Sequence, residues 1–180
     1  DVNLVGTSHL IKAALPAMKD GSLPRSITLI SSQAGQLGIY GYAAYCSSKF
    51  ALRGLAEALQ QEVISDDIHI SLVLPPDTDT PALTQEKQRR PEMTKIIASS
   101  SSTMRADEVA RKTLNGIKSG RFMVSCNFMG FMLSLATSGM APQRSCLTAF
   151  VEVASAGFVR LLALAHQHGW YNTIEKLHGN

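Results

Sequence analysis

Tyr45 and Lys49 stand four residues apart in the stretch Tyr45-Cys-Ser-Ser-Lys49. On a helix, that spacing lays a phenol beside an ammonium on one face. A free phenol has a pKa of about 10, too high for easy proton exchange at neutral pH. A neighbouring cation favours the phenolate, and general acid–base catalysis works best when the acid's pKa approaches working pH. Ser32 lies thirteen residues before Tyr45, at the end of the β-branched run Ile27 to Ile30. Open α/β sheets bind their ligands at the carboxyl ends of strands, so a hydroxyl there can hold an oxygen that the phenol protonates. A Tyr-x-x-x-Lys pair alone is a common surface pattern. Joined to a serine at a strand end, it points to acid–base catalysis on a substrate oxygen.

The elements that must position these groups are legible. Ile27 to Ser31 predicts a short buried strand, and a loop spaced by Gly35, Gly38 and Gly41 follows it. Ala43 to Ile64 is rich in strong helix formers and predicts the helix that carries Tyr45 and Lys49. Ile68 to Leu74 predicts the next strand, closed by Pro75-Pro76. Upstream, Val2 to Lys19 has a helical spacing of apolar residues, with Pro16 late in it. Strand, helix and strand with apolar strands predict a parallel α/β sheet. Pro81 to Met104 predicts a loop with a short helix. Its Glu86 to Arg90 charge run is either a solvated face or a grip on a polar head group. Ala106 to Ser119 predicts an amphipathic helix stopped by Gly120, and Arg121 to Cys126 a last strand.

These stretches resemble the short-chain dehydrogenase/reductases, whose active site is Asn, Ser and Tyr-x-x-x-Lys. Ser32, Tyr45 and Lys49 match the last three, and Asn3 in Asp1-Val-Asn-Leu-Val-Gly6 matches the asparagine. The resemblance covers the chain up to about Cys126. It implies the C-terminal part of a doubly wound, Rossmann-like parallel sheet over 1–126, followed by an apolar helical region over 127–180. It also implies roles: Ser32 orients a carbonyl, Tyr45 donates the proton, Lys49 holds the cofactor ribose, and Asn3 supports a proton-relay water. Pro75-Pro-Asp-Thr-Asp-Thr80 takes the place of a family turn whose backbone and threonine hold the nicotinamide and phosphates. The resemblance therefore implies NADPH binding by Tyr45, Lys49, Pro75, Thr78 and Thr80. Pro76 replaces the usual glycine there and stiffens the turn. The family's glycine-rich fingerprint has no counterpart in the chain, which opens at Asp1 within a helical pattern. The expectation is a missing N-terminal cofactor half, without which the 180-residue chain does not bind NADPH.

Composition narrows the classes. Seventeen Lys and Arg against fourteen Asp and Glu leave a formal charge of +3, dispersed along the chain, so no nucleic-acid footprint forms. Three cysteines with no C-x-x-C pair, and five histidines with no H-E-x-x-H pattern, argue against a metal site. After Arg121 no Asp, Glu, Lys or Arg appears until Arg144, and a second apolar stretch runs from Cys146 to Ala165. A spanning helix needs roughly 20 mostly apolar residues. Polar residues in the first stretch, and Glu152 and Arg160 in the second, favour a paired, re-entrant or interfacial anchor; a hydrophobic lid or a subunit interface is the alternative. The tail from Trp170 has an interfacial composition.

Stretches from end to end, among them Ser31 to Gln36, Leu59 to Val63, Pro75 to Thr80 and Trp170 to Lys176, resemble the members of this family that act on a long-chain lipid ketone. That resemblance implies NADPH-dependent reduction of 3-oxosphinganine to sphinganine, at the cytosolic face of the endoplasmic reticulum membrane. A membrane-resident substrate gives the apolar stretches a purpose. Another membrane-linked member acting on a steroid or retinoid, or a non-catalytic scaffold of the same fold, stands as the alternative. The resemblance also implies a homodimer, paired through Val2 to Lys19 and Ala43 to Ile64.

Overall fold

Ile68–Leu74 is the strand about which the sheet is assembled. The computed structural model describes residues 2–19, 23–99 and 102–178. Its strands are β1 (Arg25–Ile30), β2 (Ile68–Leu74), β3 (Thr78–Asp79), β4 (Met104–Arg105) and β5 (Met123–Ser125). β1, β2 and β5 form one parallel sheet in that order, with Arg25 opposite Ile68 and Leu72 opposite Met123. β3 and β4 make a second, small parallel pair. A π-helical turn, Val2–Gly6, leads into helix α1 (Thr7–Lys19). Helices α2 (Ala43–Glu62), α3 (Pro81–Arg89), α4 (Glu92–Ser99), α5 (Ala106–Lys118), α6 (Phe128–Ala136) and α7 (Cys146–His178) follow.

Side chains alternate across a strand, and β2 is covered on both faces. Ile68, Ile70, Leu72 and Leu74 pack with Ile11 of α1 and with Leu52, Ala56 and Leu59 of α2. Val73 points the other way and packs with Val124, Met104, Cys126 and Val109 of α5. Helices on both faces of a parallel sheet make a doubly wound, Rossmann-like layer structure. Ile68, Ile70, Leu72 and Leu74 make one face of β2 wholly apolar, whereas the other face carries His69 and the buried Ser71 before Val73.

The ends of the elements shift by a residue or two from expectation, and two differences are larger. β1 begins at Arg25, whose N–H reaches Asp67 O at 3.2 Å, so pairing starts where β2 starts. α2 stops at Glu62 and passes through a 3-10 turn, Ile64–Asp66, to Asp67, which is left-handed at φ 52°. The region from Pro81 to Met104 holds two helices where one was expected. Thr80 Oγ1 caps the first by accepting from Leu83 N at 3.2 Å, and Pro81 sits at its first turn, where the missing N–H costs nothing. The break at Arg90-Pro91 separates it from the second. The first apolar stretch after Arg121 folds into α6 with Gly130, Ser134 and Leu135 buried.

α2 is fixed to the sheet by a buried bond as well as by its apolar stripe. β5 pairs β2 only over Leu72–Leu74, and Leu72 N donates to Phe122 O at 2.6 Å. Two residues earlier, Ile70 N faces the same side before β5 begins. Gln60 of α2 takes it, accepting through Oε1 at 2.9 Å in a buried setting. A buried amide without a partner costs about 1–3 kcal/mol. Gln60→Leu is expected to destabilise the full-length protein by about 1–2 kcal/mol, read as a lower urea midpoint at unchanged m-value. An unchanged midpoint would show that α2 is seated without this bond.

Candidate active site

Two serines follow β1, and the strand's alternation gives them opposite tasks. Ser31 is buried at 3% exposure, and its Oγ donates to Lys49 O of α2 at 2.9 Å. Ser32 turns into a cavity at the carboxyl ends of β1 and β2, and its Oγ also accepts from Ala34 N at 3.1 Å. The turn then runs through Gly35, which lies hard against α2. A Cβ there would stand 2.9 Å from Lys49 O and 2.5 Å from Ser31 Oγ. Only glycine lets the turn bearing Ser32 approach the backbone of the helix so closely.

Tyr45, in the first turn of α2, lines the same cavity as Ser32. Its ring is 42% exposed and meets Tyr42 edge-on at 5.9 Å. One turn on, Lys49 places Nζ 5.8 Å from the Tyr45 ring centroid and donates to Ile30 O at 3.0 Å. Burial lowers the Lys49 ammonium below the ordinary lysine pKa. Lys49 stands behind Tyr45 and does not itself line the cavity. Asn3 lies behind the helix too. Its Nδ2 donates to Ser48 Oγ at 3.0 Å, and Ser48 Oγ donates to Tyr45 O at 2.7 Å. Asn3 sits in the π-helical turn, a local widening that recurs at functional sites.

The turn after β2 forms the opposite wall. Gln33 N donates to Pro75 O at 3.0 Å, so the loops after β1 and β2 are tied together. Pro75, Thr78 and Thr80 all line the cavity. Thr78 Oγ1 donates to Pro76 O at 3.0 Å, while Thr80 Oγ1 caps α3. Arg90 is 8% exposed. It donates to Asp77 Oδ2 at 2.9 Å through Nη1, and to both oxygens of Glu86 at 3.0 and 2.5 Å. These two carboxylates hold the guanidinium firmly protonated. α4 closes over the loop before α2: Thr94 Oγ1 donates to Tyr40 O at 2.7 Å. Gly41, at φ 78°, leaves room there for Pro91 and Thr94.

The chain after β5 completes the wall, in the place of the hydrophobic lid that stood as the alternative to an anchor. Asn127 Oδ1 accepts from Gly130 N at 2.7 Å, capping α6, and from Gln33 Nε2 at 2.9 Å. Gln36 Nε2 donates to Ser134 Oγ at 3.0 Å. These bonds hold Met129 and Leu133 at the cavity. α7 adds His166 and Trp170, and its last turn meets Tyr40 Oη through His178 Nε2 at 3.1 Å. The cavity encloses about 520 Å³, within the range of small-molecule sites. It thus unites Ser32, Tyr45, Pro75, Thr78 and Thr80. Asn3 and Lys49 support it from behind. The sequence held usable signals for the rest: Thr80-Pro81 is a helix start, and Asn127 followed by an apolar run is another.

A strand-end cavity with a serine and a Tyr-x-x-x-Lys helix on its rim is a family feature, and the chain belongs to the short chain dehydrogenase family, whose model matches residues 1–91. Within that family it is similar to 3-dehydrosphinganine reductase TSC10A of Arabidopsis thaliana, with 63% identity over 178 residues, 98% of this chain and 55% of the relative. The 3-ketodihydrosphingosine reductase of Bos taurus is 41% identical over 163 residues, 91% of this chain and 49% of the relative. The chain spans about half the length of the curated relatives it matches. In fold it is similar to a short chain dehydrogenase from Burkholderia cenocepacia in complex with NADP, with TM-score 0.62 and 19% identity, covering 77% of this chain and 54% of the other. A short-chain dehydrogenase from Sphingobium yanoikuyae in complex with NADPH aligns with TM-score 0.60 and 21% identity, over 81% and 56% of the two chains.

Gly35 offers a direct test of the geometry. Gly35→Ala forces the Ser32 turn and the Tyr45 helix apart by part of an ångström. Misplacement by about 1 Å can cost about a hundredfold in rate. The full-length protein is expected to lose at least about tenfold in kcat while its circular dichroism stays unchanged. Unaltered kcat would mean that the close approach does not set the spacing of the two hydroxyls.

Proposed function

We propose that the full-length protein reduces 3-oxosphinganine to sphinganine with NADPH in sphingolipid synthesis. The observation that carries this reading is the convergence of Ser32 and Tyr45 on one cavity, in a chain so similar to 3-dehydrosphinganine reductases. Ser32 Oγ orients the C3 carbonyl oxygen. Tyr45 Oη donates a proton to that oxygen as negative charge develops on it. Lys49 stabilises the phenolate that remains, and its further N–H donors serve the cofactor ribose. Asn3 completes a proton path behind Lys49.

The residues present fit a nicotinamide. Pro75, Thr78 and Thr80 share the cavity with both hydroxyls, at the strand ends where such cofactors lie. The half-buried Lys49 Nζ makes one hydrogen bond among the described residues. When bound, the cofactor supplies the hydride, and the protein supplies position and protons. Pro75, Thr78 and Thr80 would hold the nicotinamide end, and Tyr45 and Lys49 the ribose.

The C-terminal helix supports a membrane setting. α7 is 33 residues long, apolar enough to cross a bilayer, and almost wholly exposed. Leu147, Phe150, Val153, Phe158 and Leu161 all face outward. A helix that is apolar all round suits a bilayer better than water. We assign it to the endoplasmic reticulum membrane, with the catalytic domain on the cytosolic side and a long-chain lipid ketone as substrate. α1 and α2 are the faces through which a homodimer would form.

Tyr45→Phe in the full-length protein is expected to cut reduction of 3-oxosphinganine by roughly 10²–10⁴-fold, the usual worth of a general acid. NADPH affinity, followed by nicotinamide fluorescence, should change little. Retained turnover would remove Tyr45 as the acid. Reduction of a ketosteroid in preference to 3-oxosphinganine would replace the substrate assignment.

A further inference from the structure

We propose that Asp77 binds a primary ammonium carried on the carbon next to the reacting carbonyl, and so selects an α-amino ketone over a plain one. This inference rests on the reductase reading above and names the group that gives it its specificity.

The cavity wall is largely apolar, with Leu37, Ile39, Leu83, Met129 and Leu133 around it. Into this wall come two carboxylates and one guanidinium: Asp77, Glu86 and Arg90. Arg90 is buried and serves both acids, so one negative charge is left over. The two acids are used differently. Glu86 gives both oxygens to Arg90, through Nε and Nη2. Asp77 gives only Oδ2, to Nη1. Asp77 Oδ1 has no partner among the described residues. The Asp77 side chain is 29% exposed, so its carboxylate is paired with Arg90 on one side and open on the other to an incoming cation. Asp77 is therefore the open acceptor of the cluster, and Arg90 with Glu86 fixes its direction.

A second group points to the same end of the cavity. Tyr42 lines it, its ring lies 5.9 Å from the Arg90 guanidinium, and its hydroxyl is buried with no partner. A ligand with an ammonium and a neighbouring hydroxyl would satisfy both orphans.

The position suits a group beside the carbonyl. Ser31 N donates to Val73 O at 2.8 Å and Gln33 N to Pro75 O at 3.0 Å. Ser32 is thus flanked by two bonds to the β2 end, and Asp77 follows Pro75 by two residues. 3-Oxosphinganine carries its amine on C2 and a hydroxyl on C1, next to the C3 carbonyl that Ser32 and Tyr45 would hold. Steroid and retinoid carbonyls have no such amine. A site built for a polar group rejects analogues that lack it far more sharply than an apolar pocket rejects an extra methylene.

The test uses the full-length protein with NADPH and two ketones, 3-oxosphinganine and 1-hydroxy-octadecan-3-one, which lacks only the amine. The wild type is expected to favour the amine by at least about tenfold in kcat/KM. Asp77→Asn should lower kcat/KM for 3-oxosphinganine by about 10–100-fold, leave the amine-free ketone within about threefold, and leave NADPH affinity unchanged. Glu86→Gln removes the surplus charge while keeping the Asp77 carboxylate itself. It should show the same selective loss should the first variant fail to fold. Equal losses on both ketones, or no preference in the wild type, would overturn the ammonium site while the reductase reading stands. If the wild type reduced neither long-chain ketone, the reductase reading itself would fall, and the ammonium site with it.

Discussion

Everything at the active site depends on how closely α2 sits on the turn after β1. The helix brings the phenol and the ammonium, and the turn brings the serine hydroxyl. Their contact is made by backbone: Ser31 Oγ binds Lys49 O, and Gly35 leaves out the Cβ that would hold the two apart. Lys49 closes the joint from the other side by donating to Ile30 O. The lysine is thus a structural clasp between strand and helix as well as a charge beside the tyrosine. Burial weakens its hold on its proton, a cost of placing a charge where it is useful.

That joint is held against a sheet with little freedom. β2 is buried on both faces, and its polar groups are met from the side as well as along the strand. Gln60 serves the Ile70 amide where β5 has not begun, and Ser71 Oγ reaches Arg121 O at 2.9 Å. The loops beyond the strand ends are tied in turn, Gln33 to Pro75 by backbone and Gln33 to Asn127 by side chain. A reacting group set in such a frame loses little entropy on reaching its working geometry. The cluster of Arg90, Asp77 and Glu86 repeats the same logic with charges.

The amino-acid pattern carried the central strands, α2 and the meeting of Ser32 with Tyr45 at one cavity because each had redundant signals. Ile68, Ile70, Leu72 and Leu74 are apolar at alternate positions, and the run stops at two prolines. Tyr45 and Lys49 share a helix face, and Ser32 is set by its distance from them. Both adjacent serines border the cavity, but Ser31 spends its hydroxyl proton on Lys49 O, whereas Ser32 accepts from Ala34 N. The region after Arg121 was harder to read. Residues 127–137 look like an anchor by composition, because Phe, Met and Leu dominate. Their fate was decided by a few polar positions, Asn127, Ser134 and Thr137, which bond to Gln33 and Gln36. Such contacts span about a hundred positions of chain, as with Gln36 and Thr137, and no local period announces them. Trp170 has the composition of an interfacial tail for the same reason, yet it stands at the cavity.

α7 is one unbroken helix of 33 residues, with His166 and Trp170 of its C-terminal half at the cavity and Leu147, Phe150 and Val153 of its outer, N-terminal half exposed. Each residue advances an α-helix by 1.5 Å and turns it by about 100°. The orientation of the outer half is therefore locked in phase to the rim of the cavity, like two cranks on one shaft. Lengthening the helix by a single position between them would swing one crank by more than a quarter turn against the other. Whatever grips the outer half thereby sets the angle at which the mouth of the cavity is presented to it.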